Sequence, residues 1–235
     1  MKKETLTPHA QIDYKLLSHL SHEARCPFNG LLGFSDLLSS HFDSLSTDKQ
    51  KEFAVLVHQL SQKSFFQLQF LVTWIRIISN NLTLNITSCS IDDVIKQSID
   101  KLESDIVSKG ITITTNSHKK ANVSLDPLLF SVAITSVLNT CIKTLLTSKE
   151  IQIAVTTTSN TLKISISWQV EALTETINAL VNQSASPDES YNEYNIQIWV
   201  AQQIAKLHNG NLTLTKITAE SSYQLVVEFT LPLCL

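Results

Sequence analysis

The stretch Ser21-His22-Glu23-Ala24-Arg25-Cys26-Pro27-Phe28-Asn29-Gly30-Leu31-Leu32-Gly33-Phe34 decides how the remaining sequence is understood. It lies inside a longer pattern. From Asp13 to Ser40, apolar residues recur at helical spacing through Leu16, Leu17, Leu20, Ala24, Phe28, Leu31, Leu32 and Leu38, which predicts one long amphipathic helix. A histidine next to a carboxylate on a helix has two ordinary readings. One is a surface histidine with an accidental acidic neighbour. The other is the opening of the zinc-hydrolase pattern H-E-x-x-H, but its fifth position here is Cys26 and no third ligand is indicated. Pro27, inside the helix, removes a backbone donor and bends the chain near His22.

Outward from this helix, a polar break from His41 to Lys49 precedes a second helical pattern through Phe53, Leu56, Val57, Leu60, Leu68, Leu71, Val72, Ile75 and Ile78, ended by Asn80-Asn81. The two form an antiparallel hairpin whose wide apolar faces predict a four-helix bundle made by two chains, hence a homodimer. After Leu82 the pattern changes. A helix is expected near Ile91 to Ser108, followed by period-two alternation at Ile111/Ile113 and Val123/Leu125 and a helix from Asp126-Pro127 to Leu146. Strands follow at Ile151/Ile153/Val155 and Leu162/Ile164/Ile166/Trp168, turning at Ser159-Asn160, with a short helix between Ala172 and Val181. A loop at Ser184 to Ser190, a helix from Tyr191 to His208 ended by Asn209-Gly210, and strands at Leu212/Leu214 and Leu225 to Leu231 complete the order. The fold class is therefore α+β: a helical hairpin over residues 1–81, then an α/β sandwich over 82–235.

Bulk properties narrow the function. The 235 residues, 43% of them hydrophobic, suffice for a small domain plus a mid-sized one, and a net charge of -3 offers no basic field for nucleic acid or an anionic membrane. The four cysteines stand far apart without C-x-x-C spacing, as reduced thiols in a cytoplasm do. No apolar run reaches the roughly 20 residues of a membrane span, and the start MKKETLTPHAQ lacks the apolar segment of a signal peptide, so a cytoplasmic protein is expected. Only four glycines are present, well below the roughly 7% of an average chain, which leaves little for any glycine-rich phosphate cradle.

The quoted stretch resembles the H-box of bacterial sensor histidine kinases, S-H-E-x-R-T-P-L-x-x-I-x-G-[FY], including its proline inside a helix. The resemblance extends over essentially the whole chain. The hairpin is similar to the dimerisation and histidine-phosphotransfer domain, and the later element order, with Leu207-His208-Asn209-Gly210-Asn211-Leu212 and Phe229-Thr230-Leu231-Pro232, is similar to the kinase ATPase domain. It implies that His22 accepts a phosphoryl group. Glu23 would fix the imidazole tautomer and raise its nucleophilicity, and Arg25 and Asn29 would offer donors to phosphoryl oxygens. Cys26 stands where the family usually has Thr or Asn, which position the water that dephosphorylates the partner regulator. A thiol is a poor hydrogen-bonding group, so weak or absent phosphatase activity is expected, beside the plainer reading of a small packed residue.

The second domain departs from the family at each ATP box. Aligning Cys141-Ile142-Lys143 with the usual N-A-x-K ending puts Ser136 and Thr140 at the two asparagine positions, and a shifted register offers only Asn139. At the D-x-G-x-G box the strand runs into Trp168-Gln169-Val170-Glu171-Ala172, without the adenine-reading Asp or the glycines. Asn195-Ile196-Gln197-Ile198 takes the last four places of G-x-G-L-G-L, again without glycine. The expected cofactors are accordingly none: ATP is not bound, no metal is held, and Mg2+ belongs to the partner's receiver domain. This combination resembles histidine phosphotransferases built on a degenerate kinase scaffold, which relay phosphoryl groups between response-regulator receiver domains, fed by an upstream hybrid kinase. A divergent active kinase, a non-catalytic partner of a kinase or regulator, and a metal hydrolase stay open as alternatives.

Overall fold

The computed structural model describes residues 14–117, 122–145, 148–172, 177–178, 181, 193–218 and 222–233. They fall into two compact units, residues 1–82 and 83–235. In the first, α1 (Tyr14–His41) and α2 (Thr47–Ile78) are joined by a single 3-10 turn, Phe42–Ser44. The Gln50 side chain donates to the carbonyls of Phe42 and Leu45, and Ser46 caps α2 by accepting from the Lys49 N–H. Phe34 stacks on Phe53 with ring centroids 5.3 Å apart, and Gly30 faces Leu60, so contacts run in opposite directions along the two helices: an antiparallel hairpin.

The second unit contains β1 (Thr87–Ser90), α3 (Ile91–Asp100), α4 (Glu103–Lys109), β2 (Thr112–Ser117), β3 (Asn122–Leu125), α5 (Pro127–Thr144), β4 (Glu150–Thr157), β5 (Thr161–Val170), α6 (Glu193–Leu207), β6 (Asn211–Thr218) and β7 (Tyr223–Pro232). Five strands form a mixed sheet in the order β2-β4-β5-β7-β6, in which only the β2–β4 pair is parallel. Alternation sets its faces. Ile151, Ile153, Val155, Leu162, Ile164, Ile166, Leu225, Val227 and Phe229 are buried, while Gln152, Lys163, Gln169 and Thr213 between and beside them are exposed. The helices cover the buried face, with α5 in the middle, packed on both α3 and α6. This is a two-layer α/β sandwich. Helix α5 is apolar and long enough to cross a membrane, but 78% of it is buried inside this unit, as befits a core helix.

Three expectations need correction. The single helix over Ile91–Ser108 is two, because the chain turns at Lys101-Leu102 and buries Leu102. Val123 and Leu125 do not join the main sheet: β3 pairs antiparallel with β1, a strand that the short polar run Thr87–Ser90 did not advertise. The helix expected to reach Leu146 ends at Thr144, since Leu145 is extended. The loop at Ser184 to Ser190 lies outside the described residues, as do Tyr191 and much of the short helix expected over 172–181, of which Ile177, Asn178 and Val181 are helical. Elsewhere the local chemistry agrees with the reading. Helices α2, α4 and α6 all end on a left-handed residue, Asn80, Gly110 and Asn209. The next N–H bonds back to the carbonyl five residues earlier, in Asn81–Arg76, Ile111–Ile106 and Gly210–Ala205.

Candidate functional site

His22 and Glu23 lie on α1, but their side chains, with all of 14–24, are outside the described residues. The side of α1 that takes position 22 is nevertheless defined by the residues that follow. Successive helix positions turn by about 100°, so position 22 falls on the same side as 25, 26, 29 and 33. Arg25, Cys26, Asn29 and Gly33 are all exposed, and nothing lies within 4 Å of a methyl group added at Gly33. The opposite side packs on α2: Pro27 is buried, and Gly30, Leu31 and Phe34 are half-buried. Pro27 sits within the helix and has no N–H, so the carbonyl of residue 23 loses its helical donor beside position 22. Arg25 and Asn29 thus project from an accessible face one and two turns beyond position 22, with charge-assisted and amide donors to offer an anion.

The positions matched to the ATP boxes come together in the second unit. Ser136 and Thr140 are fully buried and Asn139 is 9% exposed, all on α5. Gln197, from the third box, is 6% exposed on α6, and its Oε1 accepts from Asn139 Nδ2 and from Thr140 Oγ1, each at 3.2 Å. Trp168, matched by the resemblance to the adenine-reading Asp, is buried near the end of β5, and its Nε1–H donates to Thr144 Oγ1 at 3.0 Å. These side chains therefore answer one another. The hydroxyls of Thr135 and Ser136 are buried without a partner.

Other polar groups support the fold around this seam. Lys101 reaches from the end of α3 to Ser131 Oγ at 2.9 Å, and Ser131 also meets Ser98 Oγ at 3.1 Å; burial holds the Lys101 amine below its ordinary range. Burial pushes the Cys141 thiol well up and, with the nearby Asp126 and Asp93 charges adding, also raises Cys89. His208 is buried and bonded on both ring nitrogens. Among the described residues no three His, Cys, Asp or Glu side chains gather as a metal site. Sequence reasoning missed the pairing of Gln197 with Asn139 and Thr140. Its signal was present, since one glutamine between two isoleucines and a run of hydroxyl and amide side chains on an otherwise apolar helix are polar groups that need partners indoors.

With its helical hairpin followed by a five-stranded sheet under helices, the chain is similar in fold to the solved structure of the Acinetobacter baumannii histidine kinase AdeS, to which it is 13% identical. The match covers 91% of this chain and 98% of that one at a TM-score of 0.56. This is a histidine kinase fold. The kinase-like chain is also 21% identical over 225 residues to an uncharacterized sensor-like histidine kinase of Rhizobium meliloti (strain 1021), covering 93% of this chain but 42% of that protein; it spans about two-fifths of the relative's length. A solved bacterial phosphotransferase is similar over 90% of this chain and 93% of its own, with 12% identity and a TM-score of 0.55. No protein-family model matches the histidine kinase-like chain.

Proposed function

We propose that this protein is a histidine phosphotransferase of two-component signalling, in which His22 carries a phosphoryl group between the aspartates of receiver domains. One observation carries the reading: Arg25, Cys26, Asn29 and Gly33, on the side of α1 that takes position 22, are exposed, while Asn139 and Thr140, at or beside the first ATP-box positions, are buried and bonded to Gln197. Mg-ATP does not suit these residues, since the cradle has no glycine, Trp168 stands where the resemblance puts the adenine-reading Asp, and Asn139 is engaged. The likeness to a bacterial phosphotransferase over nearly the whole chain supports the same reading.

The step is an exchange. A neutral imidazole nitrogen of His22 attacks the phosphorus of an aspartyl phosphate, the N–P bond forms as the acyl O–P bond breaks, and the aspartate leaves as a carboxylate; the reverse reaction passes the group to a second receiver. Glu23 accepts the other ring N–H and fixes the tautomer, and Arg25 and Asn29 donate to phosphoryl oxygens. Mg2+ would be held by the receiver's acidic pocket, where it would screen the charge on the phosphoryl group.

The working form is a homodimer. On α2, Phe65, Leu68, Val72 and Ile75 recur at helical spacing and are each at least 39% exposed in the single chain, as are Phe28 and Leu32 on α1. A second copy covers them in a four-helix bundle. The partners are response-regulator receivers and an upstream hybrid kinase, in the cytoplasm, with no role for nucleic acid.

The direct test incubates the purified protein with a receiver labelled on its aspartyl phosphate. Label appears on the wild type and then on a second receiver, and His22→Gln takes none. The relative described as a sensor-like histidine kinase favours a second reading, a divergent kinase; robust labelling of His22 from ATP decides for it. If His22→Ala keeps its full effect in cells, the protein is a non-catalytic partner.

A further inference from the structure

Asn139, Thr140 and Gln197 belong to a longer line of polar groups. Gln197 lies between the buried Ile196 and Ile198. Thr140 Oγ1, besides facing Gln197 Oε1, is 3.0 Å from the Ser136 carbonyl. One turn on, Thr144 Oγ1 donates to the Thr140 carbonyl at 2.8 Å and accepts the indole N–H of Trp168 at 3.0 Å. All five side chains are buried, so the line runs from β5 along one side of α5 to α6 with little contact with solvent.

We infer that this line is an internal lock on the sandwich, with the Gln197 amide held where an outside ligand would have to stand to reach Asn139 and Thr140. The inference rests on the reading that the second unit uses no ATP, and it adds the physical cause. A buried amide is stable only while bonded. A nucleotide reaching Asn139 and Thr140 must first expel Gln197 Oε1, which then loses the Asn139 N–H and its share of the Thr140 hydrogen, otherwise given to the Ser136 carbonyl, so the contacts that it gains are offset by those lost. The lock also fixes α6 against α5 with no ligand present. The second unit thus presents receivers with one standing surface instead of one that changes with nucleotide.

The test uses the full-length protein. Gln197→Met keeps the volume and removes the acceptor, leaving the Asn139 amide unsatisfied and Thr140 with the Ser136 carbonyl alone, and lowers Tm by about 5 °C or more. Adding Asn139→Leu and Thr140→Val to it removes the stranded donors and recovers most of that loss, because the three act as a unit. Millimolar Mg-ATP leaves the Tm of the wild type unchanged. Strict additivity of the three substitutions overturns the lock. A rise of wild-type Tm with Mg-ATP overturns both the lock and the ATP-free reading. Failure of label transfer from a phosphorylated receiver to His22 removes the relay alone and leaves the lock standing.

Discussion

The backbone N–H of Asp126 donates to His208 Nε2 at 3.0 Å, tying the first residue before α5 to the first residue after α6, 82 positions away. Because Nε2 accepts, Nδ1 carries the proton, which it gives to the Ile204 carbonyl at 2.7 Å. The Asp126 carboxylate caps α5 through the Leu128 and Leu129 N–H groups at 3.1 Å and takes the Asn85 N–H at 2.9 Å, and the His208 ring stands edge-on to Phe130. Two helix ends and the entry to the second unit meet at this pair. His208→Phe keeps an aromatic ring and removes both ring nitrogens, so it costs about 1–3 kcal/mol in urea denaturation. An unchanged midpoint would mean that the bond contributes nothing.

Two glycines should respond to alanine in opposite directions. Gly33 sits mid-helix with open space around it, so Gly33→Ala stabilises α1 by about 0.5–1 kcal/mol through helix propensity. At Gly210 an added Cβ would come 2.5 Å from both the Thr230 carbonyl oxygen and Leu231 Cδ2. Gly210→Ala therefore destabilises by about 1–3 kcal/mol or more. Thermal melts of the two variants against the wild type check the signs.

Cys26 is exposed and Cys141 is fully buried, with its thiol pushed well above the ordinary range. Iodoacetamide acts on accessible thiolate. Peptide mapping of the native protein should show Cys26 alkylated while Cys141 reacts only as fast as the protein unfolds. Equal labelling of both would contradict the packing of α5.

Lys101 supplies a pH dependence. Burial lowers its folded pKa below the ordinary 10.5, so between that lowered value and 10.5 the unfolded chain holds a proton that the folded one has lost. Stability from this group rises with pH through that window and is constant below it. Measured against Lys101→Met, which has no such proton, the wild type should gain stability as pH climbs toward 10.5. A difference that stays flat across that range would show that the amine is not desolvated.

Local signals made most of the fold legible. Helical spacing found α1 and α2, alternation found β4, β5 and β7, and the Asn80 and Asn209 stops were placed because each side chain tolerates the left-handed conformation its helix end requires. Strand β1 was missed for a physical reason: Thr87–Ser90 has little intrinsic strand preference and exists because Cys89 can pair with Val123, 34 residues away. The break between α3 and α4 was missed because nothing in their shared helical pattern reveals where the chain turns to bury Leu102.

For the site the division is similar. The sequence alone determined that His22 stands on a long helix in a stretch resembling an H-box and that glycines and an aspartate are lacking where the resemblance places the ATP boxes, because motif and composition are properties of adjacent residues. It did not determine what replaced them. That Gln197 meets Asn139 and Thr140, and that His208 meets Asp126, depends on two helices packing at one separation and rotation over the sheet. Such pairings between residues 57 to 82 apart come from the burial of whole faces and appear only in the tertiary structure.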